Sequence, residues 1–433
     1  MLEAFLNVFK IEDLRNKILF TLGLIAVYRL GVQIVIPGVD PEAVRQLGEV
    51  GGWLQLADMF SGGAFSQFAI LALGIMPYIS SSIIMQLLTA VIPHLEELKK
   101  QGKEGRDQIN KYTRYLTVCI SLIQGFGMTL HAEHAGVAPS TWTFRFVSVI
   151  SLTAGAIFIM WLGEQISEYG IGNGISLIIY VSIIASLPQF LLGIFRAWRA
   201  GQFNPFNFAT LFALLLGLFI ICVWVETADR KIPVKYSKQV RGRKVYGGQQ
   251  TELPLKVDYS GVIAVIFASS VMMFPALLVQ FFVGGEAMPG WLRTLTVWLG
   301  RGSFLYALIF GSLIVFFCYF YTAITFNPND VADNLKQSGG FVPGRRPGPS
   351  TAEYIDRILT RITLVGALVV VFIALIPEFI PQWFGVQLFF GGTSLLIMVG
   401  VGLDFVHQLE SQLLMRHYEG FMESGRVKGR GFG

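Results

Sequence analysis

Asn207–Glu226 reads NFATLFALLLGLFIICVWVE, with no charged residue before the glutamate that closes it. A helix rises 1.5 Å per residue, so a run of this length crosses the ~30 Å hydrocarbon core of a bilayer. Working outward from it, similar apolar runs recur along the chain, at about 18–36, 70–92, 113–131, 144–163, 174–195, 207–226, 260–282, 304–326, 358–377 and 386–407. Composition agrees. Of 433 residues 53% are hydrophobic and 14% charged, whereas soluble domains carry roughly 25% charged residues. No stretch shows the ~10-residue alternating segments of a spanning β-barrel. The expected fold class is all-α integral membrane, with about ten transmembrane helices.

The distribution of Lys and Arg tests the span count. Of the 33 such residues, 26 fall in the termini, in every second loop or at the span ends that border them, and 7 fall on the other side or, for Arg29, inside the first span. A bias of this kind over short loops marks the cytoplasmic face, so both termini are expected there. The start, MLEAFLNVFKIEDLRNK, is amphipathic with charges of both signs. It lacks the basic, apolar and small-residue regions of a signal peptide, and reads as a retained surface helix. Cys119, Cys222 and Cys318 lie far apart inside apolar runs, which suits small buried hydrophobes and neither a disulfide framework nor a metal site.

Little in the chain resembles catalytic chemistry. No span carries facing carboxylates or a histidine relay, and there is no phosphate loop, nucleophile elbow or metalloprotease helix. His131-Ala-Glu-His134 offers two histidines without a sufficient ligand set. Gly170-Ile171-Gly172-Asn173-Gly174 lacks the last dinucleotide-loop spacing and reads as a tight turn between two helices. Arg29 is costly at a helix centre and is expected to find a partner or snorkel. No catalytic residue and no cofactor are expected, so any energy source must be a partner.

Three further segments stand out. Gly51–Ala69, GGWLQLADMFSGGAFSQFA, is too short and broken to span, which leaves an outer-surface helix or a re-entrant segment packed inside the bundle. Loops at about 229–258 and 327–357 are longer and more basic than a connector needs. Alternation in Lys238–Tyr246 predicts a short projecting hairpin. Basic loops follow from the orientation rule alone, while their length and clustered arginines favour docking of an acidic partner or RNA. Finally, Pro77, Pro188, Pro275 and the Gly391-Gly392 pair interrupt spans, as packing and kink positions or as marks of helices that move.

Four motifs carry a family resemblance. LALGIMPYISSSIIMQLL (Leu71–Leu88), IMWLGEQISEYGIGNGISLII (Ile159–Ile179), DNLKQSGGFVPGRRPG (Asp333–Gly348) and FGGTSLLI (Phe390–Ile397) resemble, in order and spacing, signatures of the SecY family of protein-conducting channels. The resemblance implies two pseudo-symmetric five-helix halves, here about 1–200 and 201–433, around a central pore. It implies a channel for unfolded preproteins across the bacterial plasma membrane and a lateral exit for membrane segments into lipid. Its implied partners are the signal sequences of those preproteins, SecE and SecG small membrane subunits, a SecA motor ATPase, the ribosome and membrane lipid.

Carried over residue by residue, an apolar pore ring falls on Ile75, Ile79, Ile175, Ile179, Ile266 and Ile397, and a short outer plug helix on about 53–67. Contacts for motor or ribosome fall on Arg243, Lys244 and above all Arg346. Ser80, Ser81, Ser82, Gln86, Gln124, Ser269 and Ser270 place polar groups along the implied lateral gate. Ala264 departs from the pattern, standing where some relatives carry proline. The competing class is a secondary transporter for small solutes, which should instead place ionisable groups and half-helix ends near the midplane.

Overall fold

Charge and turn chemistry decide where the helices begin and end in the computed structural model, which describes residues 11–46, 54–201, 204–236, 239–241, 244–246, 250–280, 302–384 and 391–424 and the single positions 294, 298 and 300. Two compact units divide the chain: Met1–Leu187 with Leu277–Met288 and Val401–Gly433, and Pro188–Ala276 with Pro289–Gly400. One boundary falls on Pro188, inside a helix.

The first unit opens with α1 (Glu12–Gly31), whose first turn holds Glu12 and Asp13 and whose last holds Arg29, as the helix dipole favours. Glu12–Lys17 are therefore the start of this long helix and not a separate surface helix; residues 1–10 lie outside the described set. Short α2 (Pro41–Gln46) and α3 (Leu54–Ser61) follow, then α4 (Met76–Val91), α5 (Pro93–Lys100), α6 (Lys103–His134), α7 (Trp142–Tyr169) and α8 (Gly174–Arg199). The expected span 70–92 begins late: Pro77 stands in the first turn of α4, and residues 62–75 are turns. Apolar content does not separate a buried turn from a helix. Pro93 ends the run, and α5 leaves α4 at 98°.

Helices α4, α6 and α7 pack side by side, and α1 lies on α7. A Cβ at Gly155 would overlap the Ile70 carbonyl, so glycine lets α7 meet that backbone directly. Arg114 on α6 pairs with Glu164 on α7 at 2.8 Å. The Gly170–Gly174 turn is the helix connector expected from sequence. Ile171 N–H donates to Thr21 Oγ1 at 3.2 Å, and Asn173 Oδ1 accepts from Ile175 N–H at 3.1 Å. Ile171 packs with Leu14 and Leu409.

The second unit holds α9 (Pro205–Glu226), which contains the run quoted first, and then four strands: β1 (Asp229–Tyr236), β2 (Gln239–Arg241), β3 (Lys244–Tyr246) and β4 (Gln250–Lys256). After α10 (Gly261–Gln280), α11 (Phe304–Thr325) and α12 (Pro328–Gln337) comes β5 (Gly340–Phe341), then α13 (Pro349–Phe384) and α14 (Gly392–Ser424). β1 lies between β4 and β5, antiparallel to both, and β2 pairs with β3 as the expected hairpin.

Among the described residues, seven helices are long and apolar enough to cross a membrane, and the bent α4–α5 pair is an eighth candidate. α1 has the length for a span but carries Arg15, Lys17 and Arg29, and the described apolar part of α10, Gly261–Met273, is short. Helices α6, α13 and α14 run beyond the expected apolar stretches, because their polar turns continue the same helix.

Candidate functional site

In the first unit, the chain after α3 does not cross; it folds back. Gly62 and Gly63 adopt φ of +68° and +91°, the left-handed region that glycine enters without strain. Gly63 N–H donates to the Asp58 carbonyl at 2.9 Å, and Asp58 Oδ1 accepts from Ser66 N–H at 2.7 Å. The returning stretch then pairs with the chain leaving α1: Ile36 N–H donates to Phe68 O at 3.0 Å and Ile70 N–H to Ile34 O at 2.8 Å. Ala57, Met59, Phe60, Ala64, Phe65 and Ala69 are all buried. Of the two fates left open by sequence, the segment takes the inward one.

Two residues of α1 hold this turn. Tyr28 Oη donates to the Ser61 carbonyl at 3.0 Å and meets Ser182 Oγ of α8 at 2.6 Å. Arg29 Nη1 donates to the Gly62 carbonyl at 3.1 Å. The charged residue of the first span therefore has a structural partner. His131, one of the paired histidines, is stacked on Phe68 with ring centroids 5.9 Å apart, while Glu133 binds Arg145 through two hydrogen bonds at 2.8 and 2.7 Å. That carboxylate is already taken by a cation. Sequence reasoning missed Tyr28, Ser182 and Asp58; a tyrosine beside an arginine in an otherwise apolar run was the available signal.

The six isoleucines divide between the units. Ile75 caps α4 and Ile79 sits one turn on, donating its N–H to the Ile75 carbonyl at 3.1 Å. Ile175 and Ile179 are likewise one turn apart at the start of α8, so each pair shares a helix face. Ile79 and Ile179 are buried and Ile175 half-buried. In the second unit, Ile266 on α10 and Ile397 on α14 are buried. Ala264, fully buried, leaves α10 continuous at that position.

Most of the polar residues on these helices bond within their own helix. Ser81, Ser269 and Ser270 hydroxyls donate to the carbonyls of Pro77, Val265 and Ile266, four residues back, at 2.7–2.9 Å. Gln86 Nε2 donates to Ser82 Oγ at 3.1 Å. Ser80 is half-buried and Gln124, on α6, is buried.

The two long basic loops meet in one sheet of the second unit. β1 and β4 pair through seven residues, Asp229↔Lys256 to Lys235↔Gln250, and β5 adds Lys235↔Phe341 and Tyr236↔Gly340. One face turns Ile232 and Leu255 onto Val342 and Ile355 of the other loop and helix α13; the other exposes Lys231, Lys235 and Lys256. Lys244 lies on β3, and Arg243 lies outside the described residues. Beyond β5, Gly344 and Gly348 take φ of +80° and +102°, and Thr351 Oγ1 donates to the Arg346 carbonyl at 2.8 Å. This fixes the backbone of the Gly344–Gly348 turn. Arg345 lays its guanidinium over the Tyr354 ring, 5.1 Å from the centroid. Arg346 is exposed, and its guanidinium has no intrachain partner among the described residues. Both arginines are exposed, and Arg345 alone of the two rests on a ring.

Comparison with known proteins places these elements in context. The sequence profile of the SecY family matches residues 69–406. Protein translocase subunit SecY of Escherichia coli strain K12 is 46% identical over 426 residues, covering 97% of this chain and 96% of that protein. The Streptomyces coelicolor protein of the same description is 48% identical over 440 residues, covering 98% and 100%. A solved structure described as a protein-conducting channel superposes with a TM-score of 0.69 at 20% identity, covering 95% of this chain and 94% of its own. Sec61 in the canine ribosome–channel complex gives 0.65 at 18% identity, covering 95% and 94%.

Proposed function

The chain belongs to the SecY family, and from that membership we propose that it is the protein-conducting channel of a Sec translocon. It passes unfolded secretory polypeptides across the plasma membrane and releases membrane segments sideways into lipid. The observation that carries this reading is the identity of 46–48% to protein translocase subunits over nearly the whole length of both chains.

Several local features support finer parts of it. Ile75, Ile79, Ile175, Ile179, Ile266 and Ile397 line the polypeptide's path as an apolar ring, which resists ion flow by dewetting and offers a passing chain no polar hold. Residues 53–67 are the plug. Its described part, α3 and the turn after it, is folded inward on buried apolar side chains and tied to α1 by single hydrogen bonds from Tyr28 and Arg29, which suits a part that must leave and return. Ser80, Ser81, Ser82, Gln86, Gln124, Ser269 and Ser270 lie along the lateral gate. The halves of the family fold correspond to about 1–200 and 201–433, and the basic loops and both termini face the cytoplasm.

The channel supplies no chemistry of its own. Energy comes from a SecA motor ATPase or from the ribosome, docking through Arg346 and the tip around Arg243 and Lys244; SecE and SecG complete the complex. The test is reconstitution of the chain with those partners. Vesicles should take up an unfolded precursor in the presence of ATP. Uptake of small solutes with no precursor movement would favour a transporter instead.

A further inference from the structure

Resting on the reading of α3 and its turn as the plug, the hydrogen bonds around Tyr28 go one step further. Three short contacts meet there. Tyr28 Oη is 3.0 Å from the Ser61 carbonyl and 2.6 Å from Ser182 Oγ, and Ser182 Oγ is 2.8 Å from the Ile178 carbonyl. Tyr28 is 1% exposed and Ser182 0%, so water does not complete the set. Each hydroxyl has one proton to give, and three contacts therefore share two protons.

If Tyr28 donated to Ser61 and Ser182 to Ile178 together, two hydroxyl oxygens would face each other at 2.6 Å with no proton between them. Two arrangements avoid this. In one, Ser182 donates to Tyr28 and Tyr28 donates to the Ser61 carbonyl. In the other, Tyr28 donates to Ser182, Ser182 donates to the Ile178 carbonyl, and Ser61 loses this donor. The Ile178 carbonyl tolerates either arrangement, since it lies inside a helix where the backbone N–H four residues on already serves it.

We infer that Tyr28 and Ser182 form a two-position latch for the plug. In the first arrangement the tyrosine grips the carbonyl that ends α3. In the second, both hydroxyls remain satisfied after the plug has gone, so release strands no buried donor. Ser182 is thus a positioning residue for release, acting through Tyr28. The close seat of Gly62 follows from the same geometry, for a Cβ there would come within 3.2 Å of Ser182 Cα and 2.8 Å of Arg29 Nη1. Arg29 adds a second, half-exposed hook on the Gly62 carbonyl, which water can replace when the turn moves out.

The latch predicts opposite signs for two substitutions. Tyr28→Phe removes the grip and keeps the ring. Resting conductance of the full complex in planar bilayers should rise about five-fold, the factor for one net hydrogen bond, and precursors with a defective signal sequence should gain entry. Ser182→Ala leaves the grip but takes away the one other acceptor for the tyrosine proton among the described residues. Its resting conductance should stay at or below the parent's, and uptake of normal precursors should fall about tenfold, the penalty of a stranded buried donor. The double variant should behave as Tyr28→Phe, because Ser182 acts only through that hydroxyl. If both single variants leak, the residues merely support packing and the latch is overturned. Deletion of 54–61 separates this inference from its premise. A leaky deletion with a silent Tyr28→Phe rejects the latch alone, whereas a tight deletion rejects the plug reading and the latch with it.

Discussion

The turn after α3 and the basic sheet of the second unit are both insertions between apolar runs, yet the chain secures them in opposite ways. The first directs its polar groups inward. Two side chains of α1 reach the carbonyls of Ser61 and Gly62, and Asp58 ties the turn to itself. The sheet turns its charged groups outward. Seven register pairs and the Ile232–Leu255–Val342–Ile355 core fix its frame and leave Arg346 in solvent. Both bury apolar side chains. The turn is tied to α1 side chains by single hydrogen bonds worth about 1 kcal/mol each net, which can be exchanged during work. The sheet is closed by a seven-residue ladder, a steadier base for an exposed guanidinium. One construction suits a moving part and the other a platform.

The comparison breaks most readily at the platform's core. Ile355 is fully buried there, and Ile355→Ala should cost about 2–5 kcal/mol locally. Limited proteolysis should then cut the 229–256 segment faster, while resting conductance stays unchanged. Next comes Arg346→Glu, which should leave protein level near normal and lower ATP-driven precursor uptake about tenfold or more, since reversing a docking charge costs about 2 kcal/mol or more. Arg345→Glu should do less, because that guanidinium is spent on Tyr354. Full uptake by the Arg346 variant at matched protein level would remove the docking role.

In the turn after α3, Gly62→Ala places a Cβ on a φ of +68°, a strain of about 1–2 kcal/mol. The inward seat should weaken, and resting conductance should rise about tenfold with the platform intact by proteolysis. The smallest effect is expected at Gln124, which is buried on α6. Gln124→Leu removes a polar group of a kind worth about 0.6 kcal/mol across a membrane helix interface. Graded test segments should need a measurably different hydrophobicity to insert sideways, and an unmoved threshold would exclude Gln124 from the gate.

The fold class was legible because a hydrocarbon layer demands long apolar runs, and Asn207–Glu226 shows such a run unaided. The hairpin at 239–246 was legible from alternation. The separate sheet of β4, β1 and β5 was not, because β5 contributes only Gly340 and Phe341 from a distant loop, and two residues carry no period. Residues 70–75 read as helix since buried turns and buried helices are equally apolar; only Gly74 and Pro77 hint at the break. The six isoleucines came from family resemblance, as an isoleucine pair one helical turn apart looks the same facing lipid, a neighbour or a pore. Tyr28 and Ser182 could not be paired from sequence, being 154 positions apart.

Under the proposed function, an unfolded polypeptide is expected to pass along the six isoleucines. A photoreactive residue placed in turn at Ile79, Ile179, Ile266 and Ile397, and at the exposed Leu216 of α9, tests it in the reconstituted complex with a precursor stalled in transit. The account predicts adducts to the precursor from all four isoleucine positions and none from Leu216. Adducts from Leu216 with none from the isoleucines would contradict it.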